Sequence, residues 1–160
     1  MVIVTQLVGL VAFIILATSF TKKSKKRIIK YQILASTIFT LHYILLNAVG
    51  GIISSIIILL RNILFYKYGK HQKKLSYLIT GLFIISGIIF YDYWYSFIPI
   101  VGASICTLLM SKKKRQVLVG GIINSSGWVV YNAIAGSYIG IITESIVILT
   151  SYKSLKKMKK

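Results

Sequence analysis

Acidic side chains are nearly missing from this 160-residue chain: Asp92 and Glu144 are the only two, set against 20 Lys and Arg. A general acid/base pair needs two groups at one site, and the hydropathy places Asp92 in a connection and Glu144 inside an apolar stretch. Zinc asks for three or four His, Cys or carboxylate ligands, whereas the chain offers two His, one Cys and two carboxylates in scattered places. No GxSxG, HExxH or P-loop pattern occurs. An enzyme is therefore not expected, nor a metal or any other cofactor. The single cysteine, Cys106, excludes an intramolecular disulfide. Pro99 is the only proline, so little interrupts long helices.

Charge is also scarce overall, at 14% of residues where soluble domains carry roughly 25%. What fills the chain is apolar: 56% hydrophobic residues and a mean hydropathy of +0.80. A crossing helix needs about 20 apolar residues, with ~17 the low end. Seven stretches qualify or approach it, near residues 2–20, 28–46, 49–66, 75–91, 94–111, 116–133 and 135–152. The expected fold is an all-α integral membrane protein of seven transmembrane helices in one domain, with residues 153–160 a basic tail. The N-terminal stretch lacks a basic leader and runs into a cationic cluster, so it reads as a retained first span.

The net charge of +18 would suit a nucleic-acid binder, but its distribution rejects that. Nineteen of the 20 cations lie in four runs, Lys22–Lys30, Lys67–Lys74, Lys112–Arg115 and Lys153–Lys160. These are the first, third and fifth connections and the tail. The even connections hold none, and Asp92 lies among them. The positive-inside rule then places the N-terminus outside and the C-terminus in the cytoplasm. An aromatic run from Phe90 to Phe97 falls at the outer surface, where amphipathic rings settle at headgroup level.

A faint repeat links Asn47-Ala48, Gly51 and Tyr66-Lys67 to Asn132-Ala133, Gly136 and Tyr152-Lys153, a shift of 85 with one residue of slip. It predicts two parallel three-helix units, residues 1–66 and 94–152, joined by a linker helix at 75–91. Halves related by an axis along the membrane normal are a known transporter plan.

Ionisable groups inside a span cost ~2.5 to 3.5 kcal/mol on insertion scales and need a partner or a wet cavity. Three qualify: His42, Arg61 and Glu144. Arg61 lies ten residues from Gly51 and Glu144 eight from Gly136, about one helical turn apart in depth. An ion pair bridging the halves is the expectation, as a gate, a solute-linked pair or a plain structural lock; Arg61 could instead snorkel outward. Gly136 and Gly140 form a small-residue stripe beside Glu144 that predicts close helix packing. In the second span Gln32, Ser36, Phe39, His42 and Tyr43 share a face, with His42 either a hydrogen-bonded interior histidine or part of a site. Asn124, Trp128 and Tyr131 do the same in the sixth. Together His42, Asn124, Trp128 and Tyr131 predict a central solute cavity.

Several pieces resemble the YgjV-type bacterial inner membrane proteins: Gln6-x-Val8-Gly9-x-x-Ala12-Phe13, Gln32, His42-Tyr43-x-Leu45-Leu46 and Arg61, then Pro99-x-x-Gly102, Trp128, Asn132-x-x-Ala135-Gly136-Ser137 and Glu144. The resemblance implies a small polytopic protein of the bacterial cytoplasmic membrane. At the level of fold alone, the three-plus-one-plus-three layout looks like the SWEET sugar transporters and the PnuC vitamin transporters. The chain departs from the SWEET pattern by lacking hinge prolines, so any rocking would use glycines such as Gly9, Gly102, Gly120, Gly121 and Gly127. The expected function is a transporter or facilitator of a small polar solute. The alternative is a non-transporting membrane subunit or scaffold whose polar residues only fix helix packing. Expected partners are the bilayer and a small solute, with a homo-oligomer left open and nucleic acid excluded.

Overall fold

The computed structural model describes residues 2–45, 49–89, 97–134 and 138–158. They form seven α-helices: α1 (Val2–Ser19), α2 (Lys25–Leu45), α3 (Val49–Lys67), α4 (Gln72–Ile89), α5 (Phe97–Met110), α6 (Lys114–Ile134) and α7 (Tyr138–Lys157), with a 3₁₀ turn at Gly69–His71 before α4. No strand occurs among the described residues. Pro99 falls in the first turn of α5, where its missing N–H would have had no helical partner. The aromatic run from Phe90 to Ser96 lies outside the described residues.

Several helices begin beyond the apolar stretch that predicts them. Lys25 to Arg27, Gln72 to Lys74 and Lys114 to Arg115 are helical, and long cationic side chains there carry their charge past the apolar surface. Ser24 caps α2, its Oγ accepting from Arg27 N–H at 3.4 Å. At the end of α1, Phe20, Thr21 and Lys22 N–H groups bond back to Ala17, Thr18 and Ser19 carbonyls, tightening the last turn.

Each helix packs on its chain neighbours and α1 meets α7, so the seven close in chain order. Among the described residues the packing is denser within α1–α3 and within α5–α7 than where α4 and the α1–α7 seam join them. Three apolar cores fill the interior. One joins Ile28 and Ile29 of α2 to Phe65, Cys106, Met110 and Val117. A second joins Phe13, Ala17 and Phe20 to Leu118 of α6 and Val147 of α7. A third sits between α4 and α5 around Ile79, Phe83 and Ala103, with Ile57 and Ile58 of α3 packed on it.

The α5–α6 seam is drawn tight by glycine. A Cβ on Gly120 would lie 3.1 Å from Cys106 Cα, one on Gly102 3.1 Å from Asn124 Cα, and one on Gly127 3.1 Å from the Ile98 carbonyl oxygen. These contacts run in antiparallel register, and small residues permit that backbone approach.

The surface is inverted relative to a soluble protein. Arg61 (6% exposed) and Asn62 (0%) are interior, as are Gln32, Gln72 and Thr107, while Ile88 and Ile89 are each 65% exposed. Leu7, Leu10 and Ile14 of α1, Leu34 and Leu41 of α2, and Ile142 and Leu149 of α7 also face outward. Soluble monomers do not carry apolar surface on this scale, and a bilayer covers it without cost. Among the described residues one helix, Lys25–Leu45, meets a strict length-and-hydropathy test for crossing a membrane; Ile3–Ser19 and Ile100–Met110 are apolar but shorter.

The cationic connections gather at one end. Lys25 Nζ donates to Gln72 Oε1 at the start of α4 and to the Lys112 carbonyl, 2.8 Å away, between α5 and α6. Gln72 Nε2 in turn donates to the Phe65 carbonyl at 2.7 Å, one of the carbonyls a helix end leaves unpaired. One amine thus ties together all three cationic turns.

Candidate functional site

Polar side chains in these helices divide into two groups. Most hydroxyls bond back to a carbonyl three or four residues earlier: Ser36 to Gln32 (2.7 Å), Thr40 to Ser36 (2.9 Å), Thr107 to Ala103 (2.7 Å) and Thr150 to Ile146 (2.9 Å). Such groups are satisfied inside their own helix and ask nothing of a neighbour. The second group has no such outlet and marks the site.

On α2 the predicted polar face is interior, with Gln32 and Ser36 buried. His42 Nδ1 meets the Thr5 carbonyl of α1 at 2.7 Å, and the ring lies over Gly9, whose added Cβ would stand 2.7 Å from its Cε1. His42 is thus a helix-to-helix fastener with one ring nitrogen committed. Tyr43 stands edge-on to His42, centroids 5.3 Å apart, and its hydroxyl is within electrostatic reach of Glu144 and Tyr131.

Glu144 of α7 takes a hydrogen bond from Ser125 of α6, while its Oε2 is buried without a partner. Asn124, next to Ser125, also has a buried Oδ1 without a partner. Trp128 and Tyr131 continue this side of α6, their rings 5.5 Å apart at 80°. Tyr43 and Glu144 are both partly buried. Tyr43, Ser125, Glu144 and Tyr131 therefore assemble into one cluster between α2, α6 and α7, with Asn124 and Trp128 beside it.

One expectation is corrected. Arg61 and Glu144 do not pair: Arg61 Nε and Nη2 each donate to Asn62 Oδ1 at 3.1 Å, Nη1 donates to Thr107 Oγ1 at 3.2 Å, and the guanidinium also reaches Cys106. Arg61 is held on the α5 side, and α3 shares no packed interface with α7. Matching depth had suggested the pair, but depth does not fix which helices adjoin. The predicted close stripe on α7 lies partly outside the described residues, since Gly136 is not among them; Gly140 is half-buried and its carbonyl accepts from Thr143 at 2.8 Å. A tight glycine seam lies between α5 and α6.

The two best-defined hollows of the described residues are not central. One of about 260 Å³ opens at the α1–α7 seam, among Phe13, Ala17, Ile146 and Thr150. The other, about 310 Å³, lies along α4 and α5, among Ile84, Phe97, Val101 and Leu108. Both are lined mainly by apolar side chains. His42, Asn124, Trp128 and Tyr131 line neither.

With an inverted surface, a buried polar interior and all cationic turns at one end, the fold is that of a polytopic membrane protein. A family of bacterial inner membrane proteins, Imp-YgjV, matches residues 3–160. The chain belongs to that family. Neither a curated protein nor a solved structure matches it. Imp-YgjV membership accounts for the surface, since an inner membrane protein meets lipid where this chain exposes Ile and Leu.

Sequence reading passed over several participants that the structure of this Imp-YgjV protein brings in. Asn62 and Thr107 hold Arg61, Ser125 holds Glu144, and Lys25 with Gln72 fastens the cationic end. Ser125 sits one position from Asn124, so the signal was present there. Gln72 stood in what read as a solvated charged turn, and nothing in its composition marked it.

Proposed function

We propose that this chain is a transporter or facilitator for a small polar solute, with the Glu144 cluster at mid-membrane as its binding site. One observation carries the reading. Buried oxygens without partners occur at Asn124, Glu144, Gln32, Gln116, Ser19 and Ser151 on α1, α2, α6 and α7, and also at Thr80 on α4 and Ser104 on α5. Native interiors leave few such groups unpaired, and each costs about 1–3 kcal/mol. Asn124 is ten residues into α6 from Lys114, ~15 Å and about half the hydrocarbon thickness. Gln32, Gln116, Ser19 and Ser151 lie closer to the cationic ends of their helices. The six on α1, α2, α6 and α7 thus fall between mid-membrane and that end, which the positive-inside rule assigns to the cytoplasm with the N-terminus outside. The repeat suggests that residues 1–66 and 94–152 move against each other around them.

The tight α5–α6 seam and the outward position of both hollows favour a second reading, a membrane subunit or scaffold without transport. Thiol accessibility separates the two. On a Cys106→Ala background, single cysteines at Ser36, Ser125 and Ser151 are treated in oriented membranes with a membrane-impermeant thiol reagent. The transport reading expects all three to react, with Ser125 reached from both sides in different conformations. Three unreactive positions would establish the scaffold.

A further inference from the structure

Resting on the transport reading, we propose that the site takes a small cationic solute, an ammonium or amidinium compound with N–H donors. Glu144 is its counter-charge, Asn124 Oδ1 a second acceptor, and the rings of Tyr43, Tyr131 and Trp128 its walls.

The hydrogen-bonding capacity left open at the cluster is of one kind. Glu144 Oε2 and Asn124 Oδ1 are both acceptors, buried and without partners. A carboxylate is acceptor-only when ionised, and an amide oxygen only accepts. A solute that brings donors satisfies both; one that brings mainly acceptors leaves both unpaired and adds its own. Charge points the same way. Arg61 is committed to Asn62 and Thr107 on the α5 side, so it does not compensate Glu144. A buried carboxylate without a counter-ion is costly, and a bound cation supplies one. An anionic solute would meet that carboxylate directly.

The aromatic groups complete the case independently. Trp128 and Tyr131 stand nearly perpendicular, 80° apart with centroids at 5.5 Å, and the Tyr43 hydroxyl is within electrostatic reach of Glu144. An aromatic face attracts a cation electrostatically and offers a neutral polyol no comparable gain.

The test uses the purified full-length protein in detergent and in proteoliposomes. Thermal shift is read with methylammonium, ethanolamine and guanidinium, with acetate and phosphate, and with glycerol and glucose, and flux of any stabilising solute is then measured. The proposal expects a saturable shift with at least one cation and none with the other two classes. Glu144→Gln should weaken that binding roughly tenfold or more, as loss of a buried charge partner does. Trp128→Leu, which leaves the carboxylate in place, should weaken it several-fold and serves if Glu144→Gln fails to fold. A shift and flux with an anion or a polyol alone would overturn the cationic assignment and leave the transport reading standing. No shift and no flux with any class would overturn both.

Discussion

The imidazole of His42 occupies the space a side chain at Gly9 would take: an added Cβ stands 2.7 Å from His42 Cε1 and 2.9 Å from Nδ1. Because Nδ1 is also bonded to the Thr5 carbonyl, the ring cannot retreat without releasing α1 from α2. Gly9→Ala should therefore destabilise the protein by about 1–3 kcal/mol, the usual cost of overpacking. Gly81→Ala is the control. Nothing lies within 4 Å of a Cβ there, so relief of glycine's helical entropy cost should leave stability unchanged or raised by about 0.5–1 kcal/mol. Unfolding in mixed micelles measures both.

Arg61 offers a second measurement. Its Nε, Nη1 and Nη2 donors end on two oxygens, Asn62 Oδ1 and Thr107 Oγ1. Thr107→Val removes one acceptor from a buried cation and should cost about 1–3 kcal/mol. Asn62→Leu removes the acceptor of two bonds and should cost more. Equal effects would show that the guanidinium redistributes its donors freely.

The number of helices, their spans and the shared face of α2 were all legible in the sequence, because membrane thickness fixes length and an apolar solvent makes polar side chains turn inward. The partner of Arg61 was not. Its depth relative to Glu144 follows from counting residues, whereas its neighbours follow from the order in which seven helices close, which hydropathy does not encode. The residue that takes two of its bonds is the next one along, Asn62. Glycines tell a similar story. The lack of hinge prolines pointed any rocking to the glycines; Gly102, Gly120 and Gly127 lie at backbone contacts and Gly9 is a seat for a ring.

A double-mutant cycle on Arg61→Gln and Glu144→Gln follows from the separate partners. Groups that share no contact add within about 0.3–0.5 kcal/mol, so the coupling energy should fall inside that range. Charge reversal at both positions should likewise fail to restore what each single reversal loses. A coupling well above that range, or rescue by the double reversal, would mean the two charges meet in another conformation.

Lys25 gives a pH dependence whose sign can be worked out. Its amine is half-buried among the cationic turns, and burial holds its pKa below the usual 10.5, since desolvation disfavours the charged form. Between the folded pKa and 10.5 the unfolded chain keeps a proton that the folded chain has shed. Stability then rises with pH across that window, because the unfolded state binds more protons. Below the folded pKa both states are protonated and the slope vanishes. Lys25→Gln keeps an N–H donor for Gln72 but does not titrate. The difference in melting temperature, wild type minus Lys25→Gln, should therefore be flat near neutral pH and grow as pH approaches 10.5. The other lysines are common to both proteins and cancel in the difference. A gap that shrinks with rising pH would mean that the ammonium's bonds to Gln72 and the Lys112 carbonyl outweigh its desolvation.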